Sequence, residues 1–362
     1  MNGKAFVLAV LATAALAGCL QTDDSGSDQP PADTPDPTVF AAGEWPSGQS
    51  ARDYIESYIM THPFRVGGQP YQSYMDAART DLVAILEGFG NNLTILPDAY
   101  DDYGLNILAI QNGTTHPEQW VVLSAHYDSI SPGTDGITEF TTIYGAWDDG
   151  AGTAALIELA RTLSSWKFPF TIVYAFFDGE EKGLRGSAAF VEKYYEADGV
   201  QLVANLNTDP PGLNWPCGDH AGLFPVKVIQ EDDKVAARPD YAWLSSALET
   251  ALTTVGVPAE ALDKTGGIPV ATVGGSGLTG GSDHMSFGDQ DIPNVFIGGV
   301  PLTIVGGNPD DHVVAAMTYP LHTPLDTLQA MEARCTQGTL AGGLQTTVDL
   351  FSHTLTEMAR TH

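Results

Sequence analysis

The chain has few basic residues, few cysteines and no apolar run long enough to cross a membrane. Its 362 residues include 15 Lys and Arg against 45 Asp and Glu, which gives a formal net charge of −30. Nucleic acids are bound through Lys and Arg, so this balance predicts no nucleic-acid partner. The same shortage argues against adhesion to anionic lipid through a basic patch. Such an acidic composition fits a protein adapted to high salt, or a generally acidic secreted protein.

An apolar run near the N-terminus predicts a signal peptide. It extends from Ala5 to Ala17 and follows Lys4. As a helix this run would span about 20 Å, short of the roughly 30 Å hydrocarbon core of a bilayer. That length is typical of the apolar part of a signal peptide. The run ends in Leu16-Ala17-Gly18-Cys19, which resembles the lipobox of prokaryotic lipoprotein signals and implies a lipid on Cys19. The alternative is an ordinary signal cut nearby, with Cys19 incidental.

These features predict three parts of the chain: a signal peptide at 1–18, a lipid-anchored disordered tether at 19–45 and a folded domain at 46–362. The tether is rich in Asp, Ser, Gly, Gln and Pro and has no apolar periodicity. We therefore expect a cell-surface lipoprotein outside the cytoplasm, bound to the membrane only through its lipid, or alternatively a secreted protein. In that compartment Cys217 and Cys335 can form one disulfide, two buried thiols being the alternative.

The folded domain alternates predicted strands and helices. Apolar runs of strand length occupy 120–125, 170–177 and 202–206, with helical patterns at 153–165 and 187–197 between them. This order predicts an α/β fold with parallel pairing and helices covering the sheet. The remaining predicted elements are strands at 92–96, 105–111 and 292–298, helices at 51–60, 72–89, 241–255 and 340–359, and a turn-rich segment at 97–104.

Residues of the types that bind metals follow each of the three buried strands. They are His126 and Asp128 after the first, Asp178, Glu180 and Glu181 after the second, and Asp209 after the third. In open α/β sheets, ligands bind outside the carboxyl ends of the strands. A glycine-rich loop at 145–152 adds Asp148 and Asp149, and a later segment adds His322. Two zinc ions that share one carboxylate would use two histidines and three carboxylates, with one Glu to spare. Mn²⁺ or Co²⁺ could substitute for zinc.

These residues lie in motifs that follow one another in a recognisable order. They are His126-Tyr-Asp128, the loop at 145–152, Asp-Gly-Glu-Glu at 178–181, Asn207-Thr-Asp209, Ser282-Asp-His284 and His322-Thr-Pro-Leu-Asp-Thr327. The order resembles the co-catalytic di-zinc exopeptidases of the bacterial leucyl aminopeptidase type, whose relatives include glutamate carboxypeptidase and glutaminyl cyclase. The resemblance implies a single three-layer catalytic domain with a mixed, mostly parallel sheet.

The resemblance also implies a role for each residue. His126 and Asp209 would hold one zinc ion, Glu181 and His322 the other, and Asp148 would bridge them. Glu180 would be the general base for a hydroxide that bridges the two ions. Asp128 would orient His126, and the supporting residues would be Asp149, Asp283 and Asp326, the last by orienting His322.

The resemblance implies a zinc aminopeptidase that removes N-terminal residues from peptides. Three alternatives to this function stay open. A carboxypeptidase of the same fold needs a cation for the substrate carboxylate, and only Arg185 and Arg238 lie near the predicted site in sequence. A glutaminyl-cyclase-like enzyme is the second alternative. A lipoprotein that binds peptides or metal without catalysis is the third, but it has no use for Glu180. The sequence predicts peptide substrates and leaves the preferred N-terminal residue and the oligomeric state open.

Overall fold

The computed structural model describes most of the predicted folded domain. The described residues are 44–133, 141–213, 215–217, 226–229, 239–258, 262–263, 271–273, 276–278, 282–298 and 321–362. The predicted signal peptide, Cys19, Arg238 and most of the predicted tether lie outside them. No helix among the described residues is sufficiently long and apolar to cross a membrane.

A mixed sheet lies at the centre of the described structure. Its strands are β1 (Thr94–Ala99), β2 (Leu105–Gln111), β3 (His116–His126), β4 (Phe170–Phe177), β5 (Gln201–Thr208), β6 (Val226–Ile229), β7 (Leu262–Asp263) and β10 (Asn294–Gly298). The order is β1-β2-β4-β3-β5-β10-β6-β7. The central strands β4, β3, β5 and β10 run parallel, whereas β1, β2 and β6 pair antiparallel with their neighbours, except that β6 also pairs in parallel with β7. Strands β8 (Ala271–Val273) and β9 (Ser276–Leu278) form a separate antiparallel pair.

Helices cover both faces of this sheet. They are α1 (Gly48–Ser57), α2 (Gln72–Glu87), α3 (Gly150–Leu163), α4 (Arg185–Phe190), α5 (Pro239–Val255), α6 (His284–Gly288), α7 (Leu328–Arg334) and α8 (Leu340–Thr361). Successive residues of a strand point to opposite faces. Val121 of β3 accordingly belongs to the larger core with α1, α3, α5 and α8, whereas Val122 packs with Phe190 and Phe287 in a smaller core. The predicted α/β fold with three layers and a mixed, mostly parallel sheet is confirmed.

One local prediction is wrong. β1 extends through Pro97 to Ala99, where a turn was predicted. Proline is tolerated because, among the described strands, β1 lies at the edge of the sheet and pairs with β2 alone. The predicted helix at 187–197 is confirmed as helical over its whole length, with α4 followed by a π-helical segment at Val191–Ala197.

Candidate metal centre

Three adjacent parallel strands bring the predicted ligands to one edge of the sheet. β3 ends at His126, β5 is followed by Asp209, and β4 is followed by Asp178 and a 3₁₀ turn at Glu180–Lys182. Because β4, β3 and β5 are neighbours and parallel, their carboxyl ends lie side by side. This is the position in which open α/β sheets bind ligands.

The glycine-rich loop brings Asp148 to the same edge. Helix α3 begins within this segment, at Gly150, and the side chain of Asp149 caps it by accepting a hydrogen bond from the Gly152 N–H. A Cβ atom on Gly152 would come within 2.3 Å of the Asp149 carboxylate, so glycine is required there. The peptide bond between Asp148 and Asp149 is cis. The hydrogen bond to Gly152 and the close contact at this glycine fix the orientation of the Asp149 carboxylate at the start of α3.

Asp326 also positions this loop. Its carboxylate accepts hydrogen bonds from the backbone N–H groups of Trp147, at 2.6 Å, and of Asp148, at 3.1 Å. The sequence predicted that Asp326 would orient His322. Its carboxylate also holds the backbone of the segment that carries Asp148, a contact that the sequence did not predict.

Asp148 lies between the two predicted histidine ligands. Its Oδ1 atom is 3.2 Å from Nε2 of His126, and its Oδ2 atom is 3.1 Å from Nε2 of His322. The same nitrogen of His126 is 3.5 Å from Asp209 Oδ1, and that of His322 is 3.3 Å from Glu181 Oε2. The structure therefore brings all five predicted ligands together, with one oxygen of Asp148 toward each histidine.

Two groups of side chains can each offer three ligand atoms that lie within 4.8 Å of one another. The first is His126, Asp149 and Asp209, and the second is Asp148, Glu181 and His322. Asp149 was predicted only as a supporting residue, yet it belongs to the first group. An Asp-Asp pair in sequence does not reveal which carboxylate faces a histidine, because that depends on the backbone of the loop.

Asp128 connects His126 to the predicted general base. Its Oδ1 atom lies 3.3 Å from Nδ1 of His126, close but not aligned as a hydrogen bond. The same oxygen accepts a hydrogen bond from the Glu180 N–H at 3.2 Å. Glu180 in turn places its Oε2 atom 4.0 Å from Nε2 of His126. Asp128 thus touches a predicted ligand and positions the residue predicted to act on substrate.

Burial and mutual repulsion change the ionisation of the acidic groups. Burial raises the pKa of Glu180 well above its ordinary value, and burial with the nearby Asp148 raises the pKa of Glu181 to about 7. Burial also raises the pKa of Asp148, but the two histidines outweigh it and the net shift is downward. Burial lowers the pKa of His322, but Asp148 and Glu181 outweigh this and raise it to about 12.

The donor set fits divalent cations. Within the described part of the chain, Glu181 Oε1 and both carboxylate oxygens of Asp283 are buried without a hydrogen-bond partner. Buried carboxylates are stable when they are paired or coordinate a metal. Histidine nitrogen and carboxylate oxygen together are a zinc donor set. The residues present therefore fit a zinc centre.

The residue that follows β4 directly has a different role. Asp178 Oδ2 accepts a hydrogen bond from Arg79 Nη2 of α2 at 2.5 Å and another from the Leu105 N–H at 2.9 Å. Arg79 was not singled out in the sequence. Its position in the buried stripe of α2, next to Ala78, is the one signal that could have drawn attention to it.

Comparisons with known proteins agree with this arrangement. Residues 106–341 match the family model described as Peptidase family M28. Aminopeptidase YwaD of Bacillus subtilis is 28% identical over 228 residues, which cover 62% of this chain and 40% of that protein. A glutamate carboxypeptidase 2 homolog of Caenorhabditis elegans is 29% identical over 190 residues, covering 50% of this chain and 22% of that protein. The chain therefore spans well under half the length of these curated relatives.

Solved structures share the fold. A glutaminyl cyclase from an Acidobacteriales bacterium superposes with a TM-score of 0.59 at 22% identity, covering 89% of this chain and 97% of that chain. The LapA aminopeptidase of Legionella pneumophila gives a TM-score of 0.59 at 18% identity, covering 87% of this chain and 71% of that chain.

The fold and the two groups of histidine and carboxylate side chains define a class, the α/β proteins with a candidate two-metal centre. Within that class the chain belongs to peptidase family M28, whose model matches more than half of it. The resemblance identified in the sequence is thereby confirmed.

Proposed function

We propose that this chain is an aminopeptidase that removes N-terminal residues from peptides at a centre with two zinc ions. The observation that carries the proposal is the position of Asp148, with one oxygen 3.2 Å from His126 Nε2 and the other 3.1 Å from His322 Nε2. A carboxylate placed in this way can be shared by two cations. In this assignment His126 and Asp209 hold one ion, Glu181 and His322 hold the other, and Asp148 bridges them.

Glu180 is assigned the proton transfers. When bound, the zinc ions lower the pKa of water in the site and polarise the carbonyl of the scissile bond. Glu180 lies beside the ligands, and its backbone is held by Asp128. It accepts the proton of the attacking water and then donates that proton to the departing amine. A carboxyl group whose pKa burial has raised well above its ordinary value suits both steps.

The charge around the centre favours a substrate with a free amino group. The buried carboxyl groups of Asp149, Asp283 and Asp326 lie near the proposed ligands, burial raises the pKa of each, and once ionised beside bound zinc they attract a cation rather than a carboxylate. Arg185, a candidate cation for a carboxypeptidase, has its guanidinium in an ion pair with Asp101. These observations support cleavage from the amino end.

The first experiment measures metal content together with hydrolysis of N-terminal chromogenic amides and of N-blocked peptides. Two metal ions per chain and cleavage of free-amine substrates alone are the expected result. Cleavage of blocked peptides from the carboxyl end would instead indicate a carboxypeptidase. One metal ion without amide cleavage would indicate a cyclase or a binding protein.

Exchanging Glu180 for Gln tests the assignment of the base. Glu180→Gln removes the group that moves the proton and leaves the proposed ligands in place, so we expect kcat to fall by roughly 10²- to 10⁴-fold. Zinc content, measured by elemental analysis, should stay at the wild-type value. Glu192→Gln makes the same chemical change at an exposed position and should leave kcat unaltered. Wild-type kcat in Glu180→Gln would contradict the assignment.

We also propose that the enzyme is tethered outside the cell by a lipid on Cys19. The support is the lipobox-like Leu16-Ala17-Gly18-Cys19 and the polar segment after it. In cells that process lipoproteins, Cys19→Ser should move the protein from the membrane fraction to the soluble fraction, and the mass of the wild-type N-terminal peptide should include the lipid. An unmodified Cys19 in the wild-type protein would overturn this proposal in favour of secretion.

A further inference from the structure

A short segment far from the proposed ligands in sequence touches three of the parts that carry them. It consists of residues 62–68, which we call the strap, and it lies outside the residues 106–341 that match the family model. The Phe64 N–H donates to the Ile143 carbonyl at 2.9 Å, and the Ser129 N–H donates to the Arg65 carbonyl at 2.9 Å. Lys182, at the end of the Glu180–Lys182 turn, donates from Nζ to the Gly67 carbonyl.

Arg65 makes the strongest of these connections. Its side chain is completely buried and donates four hydrogen bonds, each to a backbone carbonyl oxygen. Nε donates to Tyr127, between His126 and Asp128, at 2.6 Å. The two Nη atoms donate to Tyr144 at 2.5 Å and to Gly145 at 3.0 Å, in the loop that carries Asp148, and Nη1 also donates to His62, within the strap, at 3.2 Å. One guanidinium therefore connects the backbone next to His126 with the backbone of the Asp148 loop.

The chemistry of these contacts requires arginine. A guanidinium holds five N–H donors in a fixed plane, whereas a lysine ammonium is a compact group that cannot reach two loops at once. Removing such a cation from water is costly unless polar groups replace its hydration. Here carbonyl oxygens replace it, and the negative charges of Asp326, Asp128 and Asp149 act on it as well. The buried charge thus lies between two ligand-bearing segments whose separation must stay fixed.

We propose that Arg65 is a positioning residue for the zinc centre, and that its guanidinium sets the separation between His126 and Asp148 by holding both of their backbone segments. This inference rests on the proposed two-zinc centre. The geometry of the guanidinium, rather than its charge alone, is what the centre needs. Loss of that geometry separates a ligand of one ion from the carboxylate shared by both, so it weakens zinc binding before any substrate is present.

The test is a calorimetric zinc titration of the metal-depleted full chain. Arg65→Lys keeps the positive charge but loses the planar set of N–H donors, whereas Arg65→Met loses both. We expect both variants to lose roughly 10- to 100-fold in affinity for zinc, as for other changes in groups that orient metal ligands. Arg161→Lys is the matched control, because Arg161 pairs with Glu158 and Glu44 at the other end of α3. It should bind zinc as the wild type does.

The outcomes separate the alternatives. Wild-type affinity in Arg65→Lys would overturn the proposal, since charge alone would then suffice. An equal loss in Arg161→Lys would also overturn it, by showing a general effect on stability. If the wild-type chain binds no zinc, the proposed two-zinc function itself is overturned. If wild type and Arg65→Lys bind zinc equally well, only the role of Arg65 is overturned.

A measurement on the wild type covers the case in which the Arg65 variants do not fold. If the strap and the centre are coupled, zinc binding must slow hydrogen exchange at the Phe64 and Ser129 amides, because coupling between two sites is reciprocal. Exchange at these two amides that is unchanged by zinc would overturn the proposal without any substitution.

Discussion

Several buried side chains in and around the centre hold protons in the metal-free chain. Burial raises the pKa of Glu181, Asp283 and Asp326 to about 7 in each case. The unfolded chain releases these protons near pH 4, so the folded, metal-free chain holds protons that the unfolded chain lacks. His322, with its pKa raised to about 12, adds a further such proton above pH 6.5. All four groups thus make the metal-free fold less stable as the pH rises.

The expected result is a fall of roughly 2 to 4 kcal/mol in the free energy of unfolding between pH 6.5 and 8 for the metal-free chain. His284, whose pKa burial lowers to about 4, has the opposite effect, but only below its unfolded value near 6.5. Urea titrations of chelator-treated protein at three pH values measure this slope. Zinc should make this slope smaller, because the proposed ligands Glu181 and His322 bind a metal only in their deprotonated forms. A metal-free stability that is flat or rises over this range would contradict the prediction.

At the level of strands and helices, a disulfide ties the segment after β5 to the end of α7. Cys217 and Cys335 are bonded, with their Cα atoms 4.5 Å apart and a sequence separation of 118. Cys217 follows Asp209 at a short distance in sequence, and Cys335 is the C-cap of α7, which begins just after Asp326. The bond thus joins the chain beyond one proposed ligand to the chain beyond another.

Loss of this disulfide should destabilise the protein. Closing so long a loop restricts the unfolded chain, and native disulfides contribute about 2 to 5 kcal/mol. We expect Cys217→Ala together with Cys335→Ala to lower the free energy of unfolding by that amount in urea. The wild type treated with a thiol reductant is the matched comparison and should unfold at the same urea concentration as the double variant. An unaltered midpoint in both samples would show that the bond contributes nothing.

The strands and helices near the centre could be predicted because buried elements have recognisable patterns of apolar residues in the sequence. Every residue of β4 is buried, so Phe170–Phe177 reads as one apolar run. The ends of such runs are easy to place, and the residue types after them, such as His126 and Asp209, indicate the chemistry. The limits of β1 were not predictable, because Pro97 is acceptable only where a strand happens to lie at the edge.

The supporting residues were harder to predict for a related reason. Arg65 and Arg79 carry charges, and a charge in a sequence predicts exposure. Both are buried because tertiary contacts provide carbonyl and carboxylate partners from distant parts of the chain. Likewise, the nearness of Asp149 to His126 and Asp209 depends on how the loop turns into α3. Nothing in the local sequence specifies these contacts.

For the whole molecule, the net charge of −30 predicts a dependence of stability on salt. Repulsion between exposed charges opposes folding, and raising the salt from 0.1 to 1 M shortens the screening length from about 10 to about 3 Å. We expect the melting temperature to rise with NaCl, by about 2 to 4 °C for each kcal/mol gained. Calorimetric scans at increasing NaCl, with sucrose at matched osmolality as the control, measure this. A melting temperature that is constant or falls with salt would contradict the expected adaptation to saline conditions.

The five proposed ligands are spread along the chain from His126 to His322, and the strap precedes them all. Because a chain is synthesised from its N-terminus, the strap and the first ligands are made long before His322. A partly made chain can hold only an incomplete donor set. Under the proposed assignment, the second ion can bind only after His322 has been made and the chain has folded around it, so metal capture depends on the complete fold.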